Sequence, residues 1–246
     1  IDIHGGGMEN KFPHHECEIA QSEAANGVQF VKYWLHNNMV TVDGQKMGKS
    51  LNNFITLKQA FSGTHEKLTR SYDPLAIRQL VLNSHYRSPI DFSDAALFAA
   101  QSGYEKITAT VLAVRKRRDS APQGQPDEKI LEQLEQLKKK FEDAMNDDLN
   151  TAVALSVIFD ITRLANTLFE GKGATKETFN AVDESFIKLG GDCLGIVKEI
   201  YQQTRQIEDE VNELVGMIVK ILIEQRNEAR SKKDFARADA IRNKLT

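Results

Sequence analysis

The sequence predicts a mainly α-helical protein: a short α/β segment comes first, then a connector, then an antiparallel helix bundle. From Ser93 onward, apolar residues recur at three- and four-residue spacing, the period of a helix with one buried face. Before that point, Met39–Val42 has the composition of a strand, and three consecutive glycines follow Ile3-His4. We therefore divide the chain into residues 1–50, 51–95 and 96–246.

The α/β segment predicts alternating strands and helices. Pro13 suits the first turn of a helix, and Asn26-Gly27 is a typical stop. In chain order we expect a strand at Asp2-Ile3, a tight turn at Gly5–Gly7, a helix from Pro13 to Asn26, a second short helix over Val28–His36 and a strand over Met39–Val42.

The connector and bundle carry clear helix boundaries. Thr56 is expected to cap a helix that ends at Phe61, and Asp73-Pro74 pairs an N-cap with a first-turn proline. The polar stretch Ser120–Pro126 separates the first two bundle helices. The other expected bundle helices cover Ile130–Met145, Thr151–Phe169 (closed by Gly171–Gly173), Thr175–Leu189 (ended by Gly190-Gly191), Ile207–Leu222 and Phe235–Leu245.

Composition restricts the class of protein. Hydrophobic residues make up 41% and charged residues 27%, as in soluble globular proteins. We see no apolar run near the roughly 20 residues of a membrane helix, so we expect no membrane partner. Two cysteines fit a reducing cytosol and therefore a cytoplasmic location. The net charge of −3 argues against nucleic-acid binding, although basic clusters such as Arg115–Arg118 interrupt the acidic background.

Asp43–Ser50 contains the chain's most informative loop. Lys46 and Lys49 lie three residues apart, with Gly48 between them, so two mobile ammonium groups flank a flexible backbone. Such a loop can hold a phosphate tail. Taken alone, however, two lysines in this pattern are typical of a solvated loop.

Two upstream segments change that interpretation. Together with Asp2–Gly7 and Phe12–Ser22, the lysine loop resembles the cysteinyl-tRNA synthetases, which are class I aminoacyl-tRNA synthetases. The resemblance continues through His85–Ser93. It implies that residues 1–50 are the C-terminal piece of a Rossmann-like α/β catalytic domain, that residues 51–95 contact the tRNA stem, and that residues 96–246 bind tRNA on its anticodon side. It also implies that this chain is the C-terminal part of a longer protein, with the other class I signature upstream.

The resemblance assigns roles to several residues. Lys49, helped by Lys46, would stabilise charge on the phosphates of ATP, which binds as its magnesium complex. Gly48 replaces a serine of the family signature, and Glu9 stands where an aspartate is usual. The implied partners are ATP, cysteine and tRNA(Cys), and we expect a monomer. The residues that would bind ATP are Lys49, His4, Gly5, Gly6 and Glu9.

His14 and Glu18 form a candidate zinc pair. They are four residues apart, so a helix presents them on one face, and a nitrogen and a carboxylate oxygen suit two corners of a zinc site. The resemblance implies this pair plus two upstream cysteines, with the zinc holding the substrate thiolate. With two of four ligands, we expect the chain alone to hold zinc weakly. We interpret Cys17, which replaces the usual asparagine, as a small packed residue.

The bundle is the candidate RNA surface. We expect phosphate contacts with slight sequence preference, made by Arg115, Lys116, Arg117, Arg118, Arg226 and Arg230, with Lys232 and Lys233 near the last two. Two alternatives remain open: a cysteine ligase acting on a small amine, and a non-catalytic helical RNA-binding or scaffold protein. The match at His85–Ser93 and the long bundle argue against the small-amine ligase.

Overall fold

A computed structural model describes residues 1–171 and 173–198 and, beyond them, only residues 217, 220, 222–227, 229, 234 and 239. The chain divides into two units, residues 1–198 and 199–246. The helices expected over Ile207–Leu222 and Phe235–Leu245 lie largely outside the described residues. Arg230, Lys232 and Lys233 lie outside them altogether.

The chain begins with a parallel βαβ unit. Strand β1 (Ile3–Gly7) pairs in parallel with β2 (Tyr33–Asn37), from Ile3 opposite Tyr33 to Gly7 opposite Asn37. Between them run a 3₁₀ turn (Met8–Asn10), a π-helical turn (Lys11–His15) and helix α1 (Glu16–Asn26). Helix α1 ends at Gly27, whose φ of 67° suits a glycine C-cap.

Two expectations for this unit are wrong. Gly5–Gly7 is part of β1 and not a tight turn, and residues 33–37 form β2 where a helix was expected over Val28–His36. Tyr33 and Trp34 are residue types that favour strands, and β1 offers them a hydrogen-bonding edge. Tertiary pairing therefore decides the conformation of this segment.

A three-stranded sheet supports the lysine loop. Strand β3 (Val40–Val42) pairs antiparallel with β4 (Gln45–Lys46) and in parallel with β5 (Ile90–Asp91). The β3–β4 hairpin turns at Asp43-Gly44, which both adopt positive φ, as a two-residue primed turn requires. The predicted strand at Met39–Val42 is confirmed.

Two short helices pack beneath this sheet. Helix α2 (Leu57–Ser62) begins with a capping box between Thr56 and Gln59, and α3 (Pro74–Leu82) begins at the N-cap Asp73. Both starts match the sequence prediction. A small core joins these helices to the sheet and to the next helix; it includes Val42, Ile55, Leu80, Phe92 and Leu97.

Within residues 1–198, the bundle consists of four further α-helices. They are α4 (Asp94–Ser120), α5 (Glu128–Asn146), α6 (Thr151–Glu170) and α7 (Lys176–Ser185), and α7 continues as a π-helical segment over Phe186–Cys193. Their N-caps Ser93, Asp127, Asn150 and Thr175 each accept a backbone N–H within the first turn.

Helix α6 is the central helix of the bundle. By length and composition it could cross a membrane, which corrects the expectation that no segment approaches that length. Leu155, Ile158 and Ile161 are almost fully buried against the other helices, so α6 has the burial of a core helix.

We expected Gly190-Gly191 to end the helix that begins at Lys176, but the helical segment runs past it. The helical segment continues to Cys193, and the chain then turns at Gly195, where φ is 64°. A Cβ on Gly190 would lie 2.7 Å from Cγ2 of Val197. This glycine therefore lets the returning chain pack against the helix.

Candidate functional site

A buried asparagine holds the lysine loop in place. Asn53 is 4% exposed; its Oδ1 accepts the Gly48 N–H at 2.8 Å and its Nδ2 donates to the Lys46 carbonyl at 3.0 Å. Lys67 holds the hairpin turn from outside through a 2.9 Å ion pair with Asp43. The backbone beside each loop lysine is thus fixed by a specific contact. Asn53 is a functional residue that was not predicted from the sequence, although its position just after the loop was a usable signal.

The two loop lysines are themselves exposed. The Lys49 ammonium lies 5.6 Å from the centre of the Phe54 ring. In the described part of the chain, no ion pair involves Lys46 or Lys49. Both charges are available to an anionic ligand.

Gly48 between the lysines has a φ of −165°, which any residue can adopt, and the nearest atom to an added Cβ would be Ser50 Oγ at 3.9 Å. The loop therefore does not require glycine here.

Three histidines and a tryptophan gather where β1 and β2 face the π-helical turn. The register places His4 opposite Trp34, with ring centroids 4.8 Å apart. His15 is 5% exposed, and its Nδ1 lies 2.8 Å from Nε2 of His36. Burial lowers the pKa of His36. His15 and His36 were not predicted as site residues, because their neighbours come from other elements of the βαβ unit.

Glu18 connects this group to His14. Its Oε2 lies 2.7 Å from His4 Nε2, and its Oε1 lies 3.3 Å from His14 Nε2. The hydrogen bond with His4 lowers the pKa of the Glu18 carboxyl. The structure therefore brings His14 and Glu18 together, and it also brings His4 to the same carboxylate.

The glycines of β1 make room for these side chains. A Cβ on Gly6 would lie 2.7 Å from Cε1 of His15, and one on Gly7 would lie 2.4 Å from a Glu9 carboxylate oxygen. Close approach to side chains of the chain itself is thus one physical reason for these glycines. Cys17 is exposed, so its interpretation as a packed residue is wrong.

An apolar cavity of about 710 Å³ lies beside β1 and β2, and residues of β3, α3, β5 and α6 also line it. Tyr86, which lines the cavity, donates a 2.6 Å hydrogen bond to Asp148, and Asp148 forms a 2.6 Å ion pair with Arg87. These bonds lower the pKa of Asp148. The cavity is lined by Gly5, Gly6, Leu35, Val40, Val81, Leu82, Ile90 and Leu149, among others.

The basic cluster of α4 is largely engaged within the bundle. Arg115 is 4% exposed and its Nε lies 2.8 Å from Asp183, while Arg118 contacts the other Asp183 oxygen at 2.7 Å. Arg117 donates to the Phe169 carbonyl at 2.8 Å, and Lys116 is exposed. Arg115 therefore cannot reach a phosphate in this structure, contrary to its place among the RNA-contact predictions. In the second unit Arg226 is partly buried.

Family models match two parts of this chain. Residues 1–102 match the class I (C) tRNA synthetase catalytic domain, and residues 140–198 match the DALR domain. At the level of fold, the chain is similar to LeuRS of Agrobacterium radiobacter in a ternary complex with tRNA and LeuAMS. That similarity has a TM-score of 0.56 at 20% identity and covers 82% of this chain and 27% of that one.

Curated relatives match over the whole length of this chain. It is 46% identical to a cysteine–tRNA ligase of Chlorobaculum tepidum and 43% identical to one of Bacteroides fragilis. It covers 47% and 48% of these proteins, so the chain spans about half the length of the curated relatives it matches. Over its whole length, the chain is thus similar to about half of a cysteine–tRNA ligase, and its first 102 residues match a class I (C) tRNA synthetase catalytic domain.

Proposed function

We propose that this chain is part of a cytoplasmic, monomeric ligase that activates cysteine with ATP and transfers it to tRNA(Cys). The observation that carries the proposal is the lysine loop, in which Asn53 fixes the backbone and two exposed ammonium groups are left without a carboxylate partner in the described residues. The relatives' name, cysteine–tRNA ligase, supports this choice of substrates.

The loop would act by electrostatics. A carboxylate oxygen of cysteine attacks the α-phosphorus of magnesium-bound ATP, the bond to the bridging oxygen breaks, and pyrophosphate leaves as cysteinyl-adenylate forms. Negative charge builds on the phosphate oxygens during this step, and preorganised cations stabilise it. We assign this role to Lys49, assisted by Lys46. The weak contact of Lys49 with Phe54 is one that a phosphate group can displace.

The nucleotide would lie against the end of β1. Gly5 and Gly6 line the apolar cavity and leave its wall free of side chains there. His4 lies on the same strand. Glu9, in the 3₁₀ turn that follows, has a carboxylate that can accept a hydrogen bond from a ribose hydroxyl. We propose these four residues as the ATP pocket of this chain.

His14 and Glu18 fit part of a zinc site. An imidazole nitrogen and a carboxylate oxygen 3.3 Å apart suit two zinc ligands, and both groups are accessible. When bound, zinc supplies a soft Lewis acid that favours a thiolate over a hydroxyl, which distinguishes cysteine from serine. His4 holds the second Glu18 oxygen and thereby orients the carboxylate.

The helical part would bind the tRNA. We keep the proposed boundaries: catalytic piece 1–50, stem-contact connector 51–95 and RNA-binding bundle 96–246. Within α4, Lys116 and Arg117 are the exposed candidates for phosphate contact. The DALR match at residues 140–198 favours a tRNA substrate over a small amine, since it falls in the helical region.

The decisive experiment uses the longer protein that contains this chain. We expect cysteine-dependent exchange of pyrophosphate into ATP, no such exchange with serine, and cysteinylation of tRNA(Cys). Exchange without tRNA charging would favour the small-amine ligase. Absence of exchange with tRNA binding retained would favour the non-catalytic RNA-binding protein.

A further inference from the structure

We propose that Asp91 is a positioning residue for the lysine loop, an inference that rests on the function proposed for that loop. Asp91 ends strand β5 in the connector and lies 47 residues after Gly44. Its Oδ1 accepts the Gly44 N–H at 3.0 Å and the Thr41 hydroxyl at 2.8 Å. One carboxylate oxygen therefore binds both strand β3 and the turn that leads from it to the lysines.

The hairpin that carries the loop has little structure of its own. Strand β4 has two residues, Gln45-Lys46, and its pairing with β3 covers two positions. A two-stranded hairpin alone is marginally stable in water, so contacts from outside the hairpin must fix where it lies. Gly44 lies in the turn, beyond the paired positions, and Asp91 supplies the acceptor for its N–H.

Two anchors lie on either side of the loop lysines. Asp91 binds the turn before them, and Asn53 binds the backbone at Lys46 and Gly48. A shift at either anchor moves the ammonium groups relative to a bound phosphate. Misplacement of a catalytic group by about 1 Å can slow a reaction about 100-fold. Asp91 can therefore affect the reaction without touching the substrate.

Asp91 holds the loop without neutralising it. Asp91 and Lys46 pair with Thr41 from opposite sides, so about 10 Å of sheet separates their backbones. In the described part of the chain, Asp91 takes part in no ion pair. The hydrogen bond from Gly44 is the main cause of the lowered pKa of Asp91. Neutral donors thus engage this carboxylate, and the lysines keep their charge for a ligand.

Steady-state pyrophosphate exchange by the longer protein tests the proposal. Asp91→Ala should lower kcat about 10- to 100-fold, because it displaces a group that acts in the transition state. KM for cysteine should stay nearly unchanged, since the loop acts on the phosphates. Asp91→Asn keeps an oxygen that can accept both hydrogen bonds, so its kcat should stay within about threefold of wild type.

A double-mutant cycle separates positioning from a general loss of stability. If Asp91 acts through the loop lysines, Asp91→Ala should slow exchange less than about twofold in a Lys49→Ala background. Unchanged kcat in the single Asp91→Ala variant would overturn the proposal. So would losses that multiply in the double variant, because Asp91 would then act elsewhere.

Asp94→Ala is the matched control. The Asp94 carboxylate accepts hydrogen bonds from Thr69 and Tyr72, which lie outside the lysine loop. This variant should destabilise the connector but keep a kcat near that of wild type, measured at a temperature where melting curves show every variant folded. An equal loss of kcat in Asp94→Ala and Asp91→Ala would overturn the proposal.

Amide hydrogen exchange of the 246-residue chain provides a readout that involves no ligase activity. Asp91→Ala should speed exchange within Asp43–Ser50 by about tenfold and leave α6 unchanged. Unchanged exchange in the loop would overturn this inference and leave the proposed function intact. A longer wild-type protein without pyrophosphate exchange would contradict the proposed function, and hydrogen exchange would still decide whether Asp91 holds the loop.

Discussion

The βαβ unit with its lysine loop and the helix bundle use polar side chains in opposite ways. Among residues 1–56 the buried apolar side chains are Val31, Val42 and Ile55, and α1 buries none of its side chains. The bundle contains a continuous apolar core. Polar side chains in the first region are therefore positioned by strand pairing and by one another, whereas those in the bundle are positioned by packing.

Lys49 and Arg115 illustrate the difference. Arg115 is a buried cation whose charge is neutralised by Asp183, as burial requires. Lys49 is exposed and rests on an aromatic ring without a carboxylate partner in the described part of the chain. A cation that already has a buried partner supports the fold, while one left accessible can serve a ligand.

Asp183→Asn should produce the largest effect, on stability. It leaves Arg115 and Arg118 beside a neutral side chain, and removing one partner of a buried ion pair costs about 3–5 kcal/mol. Urea unfolding followed by circular dichroism measures the change. The neighbouring, exposed Glu184→Gln should stay within about 0.5 kcal/mol. Equal losses in the two variants would mean that the Arg115 ion pair does not stabilise the bundle.

Lys49→Ala in the longer protein should slow pyrophosphate exchange by about 10²–10³-fold, since loss of a transition-state contact costs about 3–4 kcal/mol. Stability should hardly change because Lys49 is exposed. Lys58→Ala, an exposed lysine of α2, is the matched control and should keep full exchange activity. Near-intact exchange in Lys49→Ala would remove the catalytic assignment of the loop.

Asn53→Ala should disturb the loop while leaving the bundle intact. It removes the two Asn53 hydrogen bonds to the loop backbone, and an unpaired buried donor costs about 1–3 kcal/mol. We expect faster proteolysis within Asp43–Ser50 and slower pyrophosphate exchange in the longer protein. Asn52→Gly, at a position with a φ of 49°, should be nearly neutral. Unchanged proteolysis would show that other contacts hold the loop.

Reversal of Lys116 and Arg117 to Glu should weaken tRNA binding by about tenfold without unfolding the bundle. Wild-type binding should fall with salt at a log–log slope between about −2 and −4, and the variant slope should be shallower by about one per lost phosphate contact. Fluorescence anisotropy across a salt series measures both quantities.

Two further changes serve as comparisons for RNA binding. Lys129→Glu is the single-charge control and should change the slope least. Arg118→Glu should instead destabilise the fold, because Arg118 binds Asp183. Salt-independent binding of the wild-type chain would exclude the phosphate-contact surface.

Gly48→Ser should have the smallest effect. Its backbone is extended and an added side chain meets open space, so stability should stay within about 0.5 kcal/mol. Gly6→Ala is the informative counterpart, because its Cβ would press on the His15 ring and should destabilise the βαβ unit. Thermal melts of both variants test this pair; a neutral Gly6→Ala would mean that His15 can move.

The sequence by itself determined the features that depend on neighbours along the chain. Helix starts at Thr56 and Asp73-Pro74 follow from capping chemistry within one turn, and the start at Ser93 follows from the apolar period; the structure confirms all three. The pairing of His14 with Glu18 follows from helical spacing. The lysine loop was recognisable because its residues are contiguous.

Tertiary structure decided what depends on distant partners. Tyr33–Asn37 forms a strand because β1 offers it a parallel edge, and the paired residues of β1 lie thirty positions earlier in the chain. Arg115 is buried because Asp183, 68 residues away, neutralises it. His4 and His15 lie near Glu18 because β1, the π-helical turn and α1 converge. Such pairings are set by the packing of separate elements, and local sequence patterns carry no information about which distant side chain will supply the partner.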